Sequence, residues 1–200
     1  MKKIFFIFLL MLSLFIGYVI VFKKKDFSLL NTKSIDIAQI DAVKKIVNSS
    51  AKYNKNFAFF IDMKVHSGKF RFFVYDLKNN KIIDRGIVAH GSGSETGIKG
   101  KLKFSNIPNS LSTSLGTYSI GNQYYGKFGK SYRLHGLDAT NSNAFSRDIV
   151  FHYYFDVPYK EQDNYICNSY GCPMVNKKYF NRIAQIIDNS KSHIVMSIYY

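Results

Sequence analysis

FRFFVYDLKNNKIIDRGIVAHG, running from Phe70 to Gly91, carries the reading that decides the fold. Two runs rich in aromatic and β-branched residues, FRFFVYDL and KIIDRGIVA, flank Lys78, Asn79 and Asn80. Such side chains pack well on a pleated surface, and paired asparagines favour tight turns. The pattern predicts a β-hairpin. The same grammar begins upstream in FAFFIDMKV (Phe57–Val65), which ends before the Ser67-Gly68 turn signal. Further strands are expected over Gly116–Gly121, over Asp148–Phe155 and in the terminal HIVMSIYY. Two segments instead repeat their apolar residues at helical spacing. In the first, Ile37, Ile40, Val43, Ile46 and Val47 follow Asp36, a candidate N-cap with Gln39 three residues on. In the second, KKYFNRIAQIIDNS, Tyr179, Ile183 and Ile187 share a face behind Asn176 as cap. The chain should therefore be mainly β with a few helices.

At 200 residues, 46% of them hydrophobic, the chain can bury one substantial core rather than two. Its start differs from the rest. Ile4 to Phe22 carries no charge, and at ~1.5 Å per residue a helix of that length spans about 28 Å, close to a bilayer's hydrocarbon core. A membrane helix is the expectation. With no A-x-A-like site in view, an uncleaved anchor is favoured over a cleaved secretory signal. Lys2 and Lys3 at one end and Lys23, Lys24 and Lys25 at the other leave its orientation open. The expected division is an anchor over 1–25, a helical spacer packed on the domain over 26–55, and a folded domain over 56–200.

The formal charge is +15, from 28 basic and 13 acidic residues. Five of the lysines lie at or before Lys25, so the remainder carries 23 − 13 = +10. A domain this basic is drawn to polyanions: nucleic acid, anionic lipid or an anionic wall polymer. Its basic residues are scattered, and neither zinc-finger spacing nor an RNP-like motif is present, which argues against nucleic acid. The five histidines and two cysteines show no H-x-x-x-H or C-x-x-C spacing, so neither a metal site nor another cofactor is expected. Gly91 to Asn109 is rich in Gly, Ser and Asn without matching a phosphate-binding loop, and reads as a mobile surface loop or lid.

Chemistry concentrates in NSYGCPMV, Asn168 to Val175. Structural cysteines usually sit inside apolar runs, whereas Cys172 follows a glycine in a polar turn. A glycine lets the chain turn tightly and leaves amide N–H groups facing a reacting carbonyl oxygen. Pro173 has no N–H, so those donors must come from Cys172 and the residues before it. A thiol also needs activation, which a nearby imidazole supplies by lowering its pKa. His152, at the end of the apolar strand DIVFH, is the candidate. His90 and His135 both precede glycines and either line a cleft or make strand-end hydrogen bonds, while His66 and His193 border strands and read as structural. Cys167 reads as a free thiol, with a regulatory bridge to Cys172 as the alternative.

Taken together, VYDLKNNKIIDRGIVAHGSGSETG, FSNIPNSLSTSLGTYSIG, YGKFGKSYRLHGLD, RDIVFH and SYGCPMV resemble, in order and spacing, the murein L,D-transpeptidase catalytic-domain family over roughly Phe57 to Tyr200. The resemblance implies an L,D-transpeptidase-like β-sandwich behind the membrane helix. It also implies that Cys172 is the nucleophile taking an acyl group from a peptidoglycan stem peptide, with release of D-alanine, and that His152 is its base. The backbone carbonyl of Tyr153 would orient the histidine, the amides of Tyr170, Gly171 and Cys172 would bind the oxyanion, and Ser169 would support the turn. The chain departs from the family pattern in three places. Tyr153 stands where glycine is commoner, Tyr170 where histidine or tryptophan is, and Met174 where many relatives carry arginine. Bulky Tyr153 puts the donor channel in question. Arg133 is the substitute candidate for gripping a stem carboxylate, with a surface ion pair as its other reading. The expected protein is a monomer of the bacterial cell envelope, membrane-anchored or secreted, with its domain outside the cytoplasm. An L,D-carboxypeptidase or endopeptidase using the same site, and a non-catalytic wall-binding module, are the alternatives.

Overall fold

The computed structural model describes residues 35–200. The expected membrane helix and its lysine flanks lie outside the described residues. The described chain builds nine strands, β1 (Tyr53–Asp62), β2 (Phe72–Asp76), β3 (Lys81–Gly86), β4 (Val88–Ala89), β5 (Gly116–Gly126), β6 (Gly129–Gly136), β7 (Val150–Tyr153), β8 (Met174–Val175) and β9 (His193–Tyr199), with helices α1 (Ile37–Ser49) and α2 (Lys177–Asp188). The fold is mainly β with two α-helices.

The hairpin read from Phe70–Gly91 forms as β2 against β3, with Asp76 opposite Lys81. Its turn is closed by Asp76, whose carboxylate accepts from the Asn79 backbone N–H (2.8 Å) and side-chain amide (2.7 Å), while Asn80 takes φ 51°. Asparagine tolerates that left-handed conformation better than most residues.

The strands hydrogen-bond in the order β3-β2-β1-β9-β5-β6-β7-β8-β4. The outermost two, β3 and β4, are separated in the chain only by Ile87. Laid flat, nine strands at ~4.8 Å spacing would put them about 38 Å apart, yet two Cα steps span at most ~7.6 Å. The sheet must therefore roll until its edges meet, and its two walls face each other as in a sandwich. Phe59, Phe72, Val88, Tyr118, Leu134, Phe151, Val175 and Met196 fill the roll with the α2 residues Tyr179, Phe180 and Ile183. Asn176 caps α2, its side-chain oxygen accepting from Lys178 N–H at 2.9 Å, as the sequence predicts.

Helix α1 covers the outer face. Ile40, Val43 and Val47 pack on Ala58, Phe60, Phe73 and Val195, so β1 is buried on both sides. Each such side chain contributes about 1.5–3 kcal/mol by leaving water. Asp36 caps α1 by accepting from Ala38 N–H (2.9 Å). Gln39 does not reciprocate; its side-chain oxygen accepts from Ser197 on β9 instead. Strand β1 begins at Tyr53, so a boundary between 55 and 56 falls inside it, and the helix is a layer of the domain.

The sequence reading missed β6 and β8 and ended β5 five residues early. The outer half of β5, from Asn122, is largely exposed and so lacks an apolar signal. The loop expected to be mobile is tied down on either side of an exposed 95–101 tip: Gly93 N–H donates to Leu111 O, Lys103 N–H to Ser94 O and Ser105 N–H to Thr113 O.

Candidate active site

β7 and β8 run parallel, with His152 opposite Met174. The amides of β7 and of Tyr154 just after it donate in turn to Cys172 Sγ (Val150 N–H, 3.4 Å), Pro173 O (His152 N–H, 3.5 Å) and Val175 O (Tyr154 N–H, 2.9 Å). The sulfur thus occupies a ladder position that a backbone carbonyl would normally fill. Its own hydrogen leans on Asp148 O at 3.6 Å. Gly171 makes the bend possible: its φ is 115°, and a Cβ there would stand 2.9 Å from Ser112 O.

His152 is buried, and its Nδ1 lies 2.9 Å from Tyr153 O. A carbonyl can only accept, so Nδ1 carries the hydrogen and Nε2 presents its lone pair. Among the described residues Nε2 has no hydrogen-bond partner, yet it is not among the fully buried unpartnered atoms, so it keeps contact with solvent. No hydrogen bond joins it to Cys172 in this resting geometry. Phe128, from the β5–β6 turn, stacks on the imidazole at 4.2 Å between ring centroids.

The electrostatics oppose the expectation of a lowered thiol pKa. Burial pushes the Cys172 thiol up, outweighing the Val150 amide and the Arg147 charge that pull it down. Burial likewise lowers the His152 imidazole, against its bond to Tyr153 O. The ordinary values already favour the neutral thiol and imidazole over the ion pair by about 100-fold, and both shifts widen that gap. The resting pair is neutral.

Of the three expected oxyanion donors, Gly171 is occupied: its N–H donates to Ser169 Oγ at 3.0 Å. Tyr170 and Cys172 N–H groups have no acceptor among the described residues. Ser169 is itself fixed, donating from N–H to His90 O and accepting at its carbonyl from Ser92 N–H, both 2.8 Å.

A profile of the L,D-transpeptidase catalytic domain matches residues 28–197. The chain belongs to that family. Similar solved structures include an L,D-transpeptidase from Xylanimonas cellulosilytica (13% identity over 73% of this chain and 61% of that one, TM-score 0.41). Others are the helical cell shape determining protein Pgp2 of Campylobacter jejuni (13%, 76% and 52%, TM-score 0.45) and Bd1075 of Bdellovibrio bacteriovorus (14%, 72% and 48%, TM-score 0.45). The chain spans between about half and three fifths of the length of these proteins. Comparison with curated proteins gives no match.

Within this L,D-transpeptidase domain the departures from the family pattern acquire positions. The Tyr153 ring packs on Phe180 of α2 (5.6 Å) under Lys177, against the core inside the roll. Phe128, which sequence reasoning missed, is the bulky group over His152. Tyr170 is 77% exposed on the turn. Met174 is buried with Ile87, Ala89 and Val157, leaving no room for an arginine's charge.

The three expected substrate-binding residues all have partners within the fold. His90 is buried, with Nδ1 against Arg71 and Nε2 against Glu95. His135 of β6 stacks on Phe145, in the turn segment before β7, at 5.2 Å. Arg133 takes the surface reading: it pairs with Asp148 at 3.3 Å and lies over Tyr124 and Phe145. Cys167 and Cys172 are both free thiols.

Arg147, also missed, ties the preceding loop to the turn. One terminal nitrogen donates to Ser105 O (2.9 Å) and Ser114 Oγ (3.2 Å), the other to Ser112 O (2.7 Å) and Ser110 Oγ (3.3 Å). Four of its five donors are spent, so it acts as a clamp whose charge Cys172 feels. Its position in RDIVFH, five residues before His152, was the available signal.

Proposed function

We propose that this domain is a cysteine acyltransferase acting on peptidoglycan stem peptides, an L,D-transpeptidase in activity as well as in family. The observation that carries the reading is the junction of β7 and β8. There a thiol held by the Val150 amide, an imidazole whose tautomer Tyr153 O dictates, and the Tyr170 and Cys172 amides, which have no acceptor among the described residues, lie close together.

In the first half-reaction the Cys172 Sγ–H turns from Asp148 O toward His152 Nε2 and gives up its proton as sulfur attacks the stem carbonyl carbon. The oxyanion takes hydrogen bonds from the Tyr170 and Cys172 N–H groups. Collapse breaks the C–N bond, and the leaving amine, that of D-alanine, takes the proton from Nε2. In the second half-reaction an acceptor amine attacks the thioester and gives its proton to Nε2, which returns it to sulfur. Because the resting pair is neutral, the imidazole acts as a general base during attack and does not rest as half of an ion pair.

The net charge of +10 beyond Lys25 suits an anionic wall. The apolar Ile4–Phe22 segment supports an envelope location with the domain outside the membrane. The test is product analysis of full-length protein with a tetrapeptide-stem muropeptide. Cross-linked dimers are expected in the wild type and none in Cys172→Ala or Cys172→Ser. Tripeptide stems alone would assign the site to hydrolysis, and turnover in either variant would remove Cys172 from the role.

A further inference from the structure

A cleft of about 490 Å3 lies between the Met63–Ser67 connection, the Gly97–Leu102 loop and Tyr165. Its floor is apolar, formed by buried Met63 with half-buried Val65 and Leu102. Its rim carries Lys64, Lys99 and Lys101, exposed ammonium groups with no carboxylate at salt-bridge distance among the described residues.

One carboxylate stands at the inner end, and a buried network holds it. Arg71 spends its donors on Val88 O, Val65 O and His90 Nδ1. A guanidinium only donates, so His90 Nδ1 accepts and Nε2 carries the hydrogen, giving it to Glu95 Oε1 at 2.7 Å. Asn168 Nδ2 reaches the same oxygen at 3.4 Å. Both bonds fall on Oε1, so Oε2 keeps its acceptor capacity. Through Asn168 and the paired segments at Gly91 and Ser169, this carboxylate adjoins the turn that ends at Cys172.

A simple anion in this cleft would meet Glu95, and a simple cation would meet three lysines. We propose that the cleft binds an α-amino carboxylate carried on an aliphatic chain. The ammonium sits on Glu95 Oε2, the carboxylate among Lys64, Lys99 and Lys101, and the chain over Met63 and Leu102. The proposal rests on the acyl-transfer reading for its purpose only: the cleft would hold the remote end of the stem whose carbonyl Cys172 takes.

The test is a ligand-observed NMR titration of the full-length protein with norleucine, an amino acid of this shape. Binding is expected, weakened on the order of tenfold with N-acetylnorleucine, norleucinamide or glycine, which lack the cation, the anion and the chain respectively. Glu95→Gln should weaken norleucine without further weakening N-acetylnorleucine. The double substitution Lys99→Ala, Lys101→Ala should weaken norleucine and spare norleucinamide. These lysines are exposed, and the analogue series on wild type needs no variant, so a folding defect in Glu95→Gln leaves the test intact. No binding of norleucine at millimolar concentration, or equal binding of the blocked analogues, overturns the proposal. Failure of acyl transfer alone would leave these titrations unchanged, whereas an acylated Cys172 with no norleucine binding would sink only the cleft.

Discussion

At Cys172 burial and charge oppose each other, and Arg147 provides the charge that favours thiolate. Arg147→Ala removes both that charge and the clamp on the Ser105–Ser114 segment, whereas Arg147→Lys keeps the charge and loses the bidentate geometry. Alkylation of Cys172 by iodoacetamide at pH 8 should slow on the order of threefold to tenfold in the alanine variant and much less in the lysine variant. Acyl transfer should fall in both. Equal alkylation rates in all three proteins would make Arg147 purely structural. His152 sets the acid side of the reaction, because only neutral Nε2 accepts a proton. Burial holds its pKa below the ordinary value, so the acid limb of kcat/KM should have its midpoint under about 6.5. A midpoint above that value would mean that another group, or an ion pair, controls attack.

The turn between Ser169 and Met174 is an element whose shape depends on two glycines in contact. A Cβ on Gly91 would stand 2.2 Å from Leu111 O and 2.9 Å from Gly171 Cα. One on Gly171 would combine a left-handed φ with contact at Ser112 O and Ile149. Strain of about 1–3 kcal/mol at Gly171→Ala should displace the thiol and lower turnover by ~100-fold while the domain stays folded. Activity near wild type with an unchanged melting curve would show that the bend does not position Cys172. Much of this was legible beforehand. The Asn79-Asn80 hairpin, the Asn176 cap and the placing of Cys172 behind a glycine are local signals, and the fold keeps them. Phe128, Arg147 and the Val150 amide were not legible, because their roles come from strand register and loop packing between distant segments. His90 could not be decided from sequence, because a histidine before glycine reads alike whether its nitrogens are free or, as here, both taken.

For the whole molecule, two buried histidines link stability to pH. His90 is held below its ordinary pKa by burial and by Arg71, and His152 by burial. A base whose folded pKa is depressed binds more protons when unfolded, so its stabilising contribution is full above the unfolded value near 6.5 and is lost as pH falls toward the folded one. The melting temperature should therefore drop between pH 7.5 and 5.5, and a flat or rising curve would contradict the burial assigned to these rings. The rolled sheet that buries them also brings β7 beside β8, and on that junction the functional account depends. Its most direct measurement is the mass of the intact full-length protein after brief incubation with a tetrapeptide-stem muropeptide, followed by peptide mapping. The account predicts an adduct equal to the stem without its terminal D-alanine, confined to Cys172 and missing in Cys172→Ala. An unmodified Cys172 under conditions where cross-linked or trimmed product accumulates would contradict it.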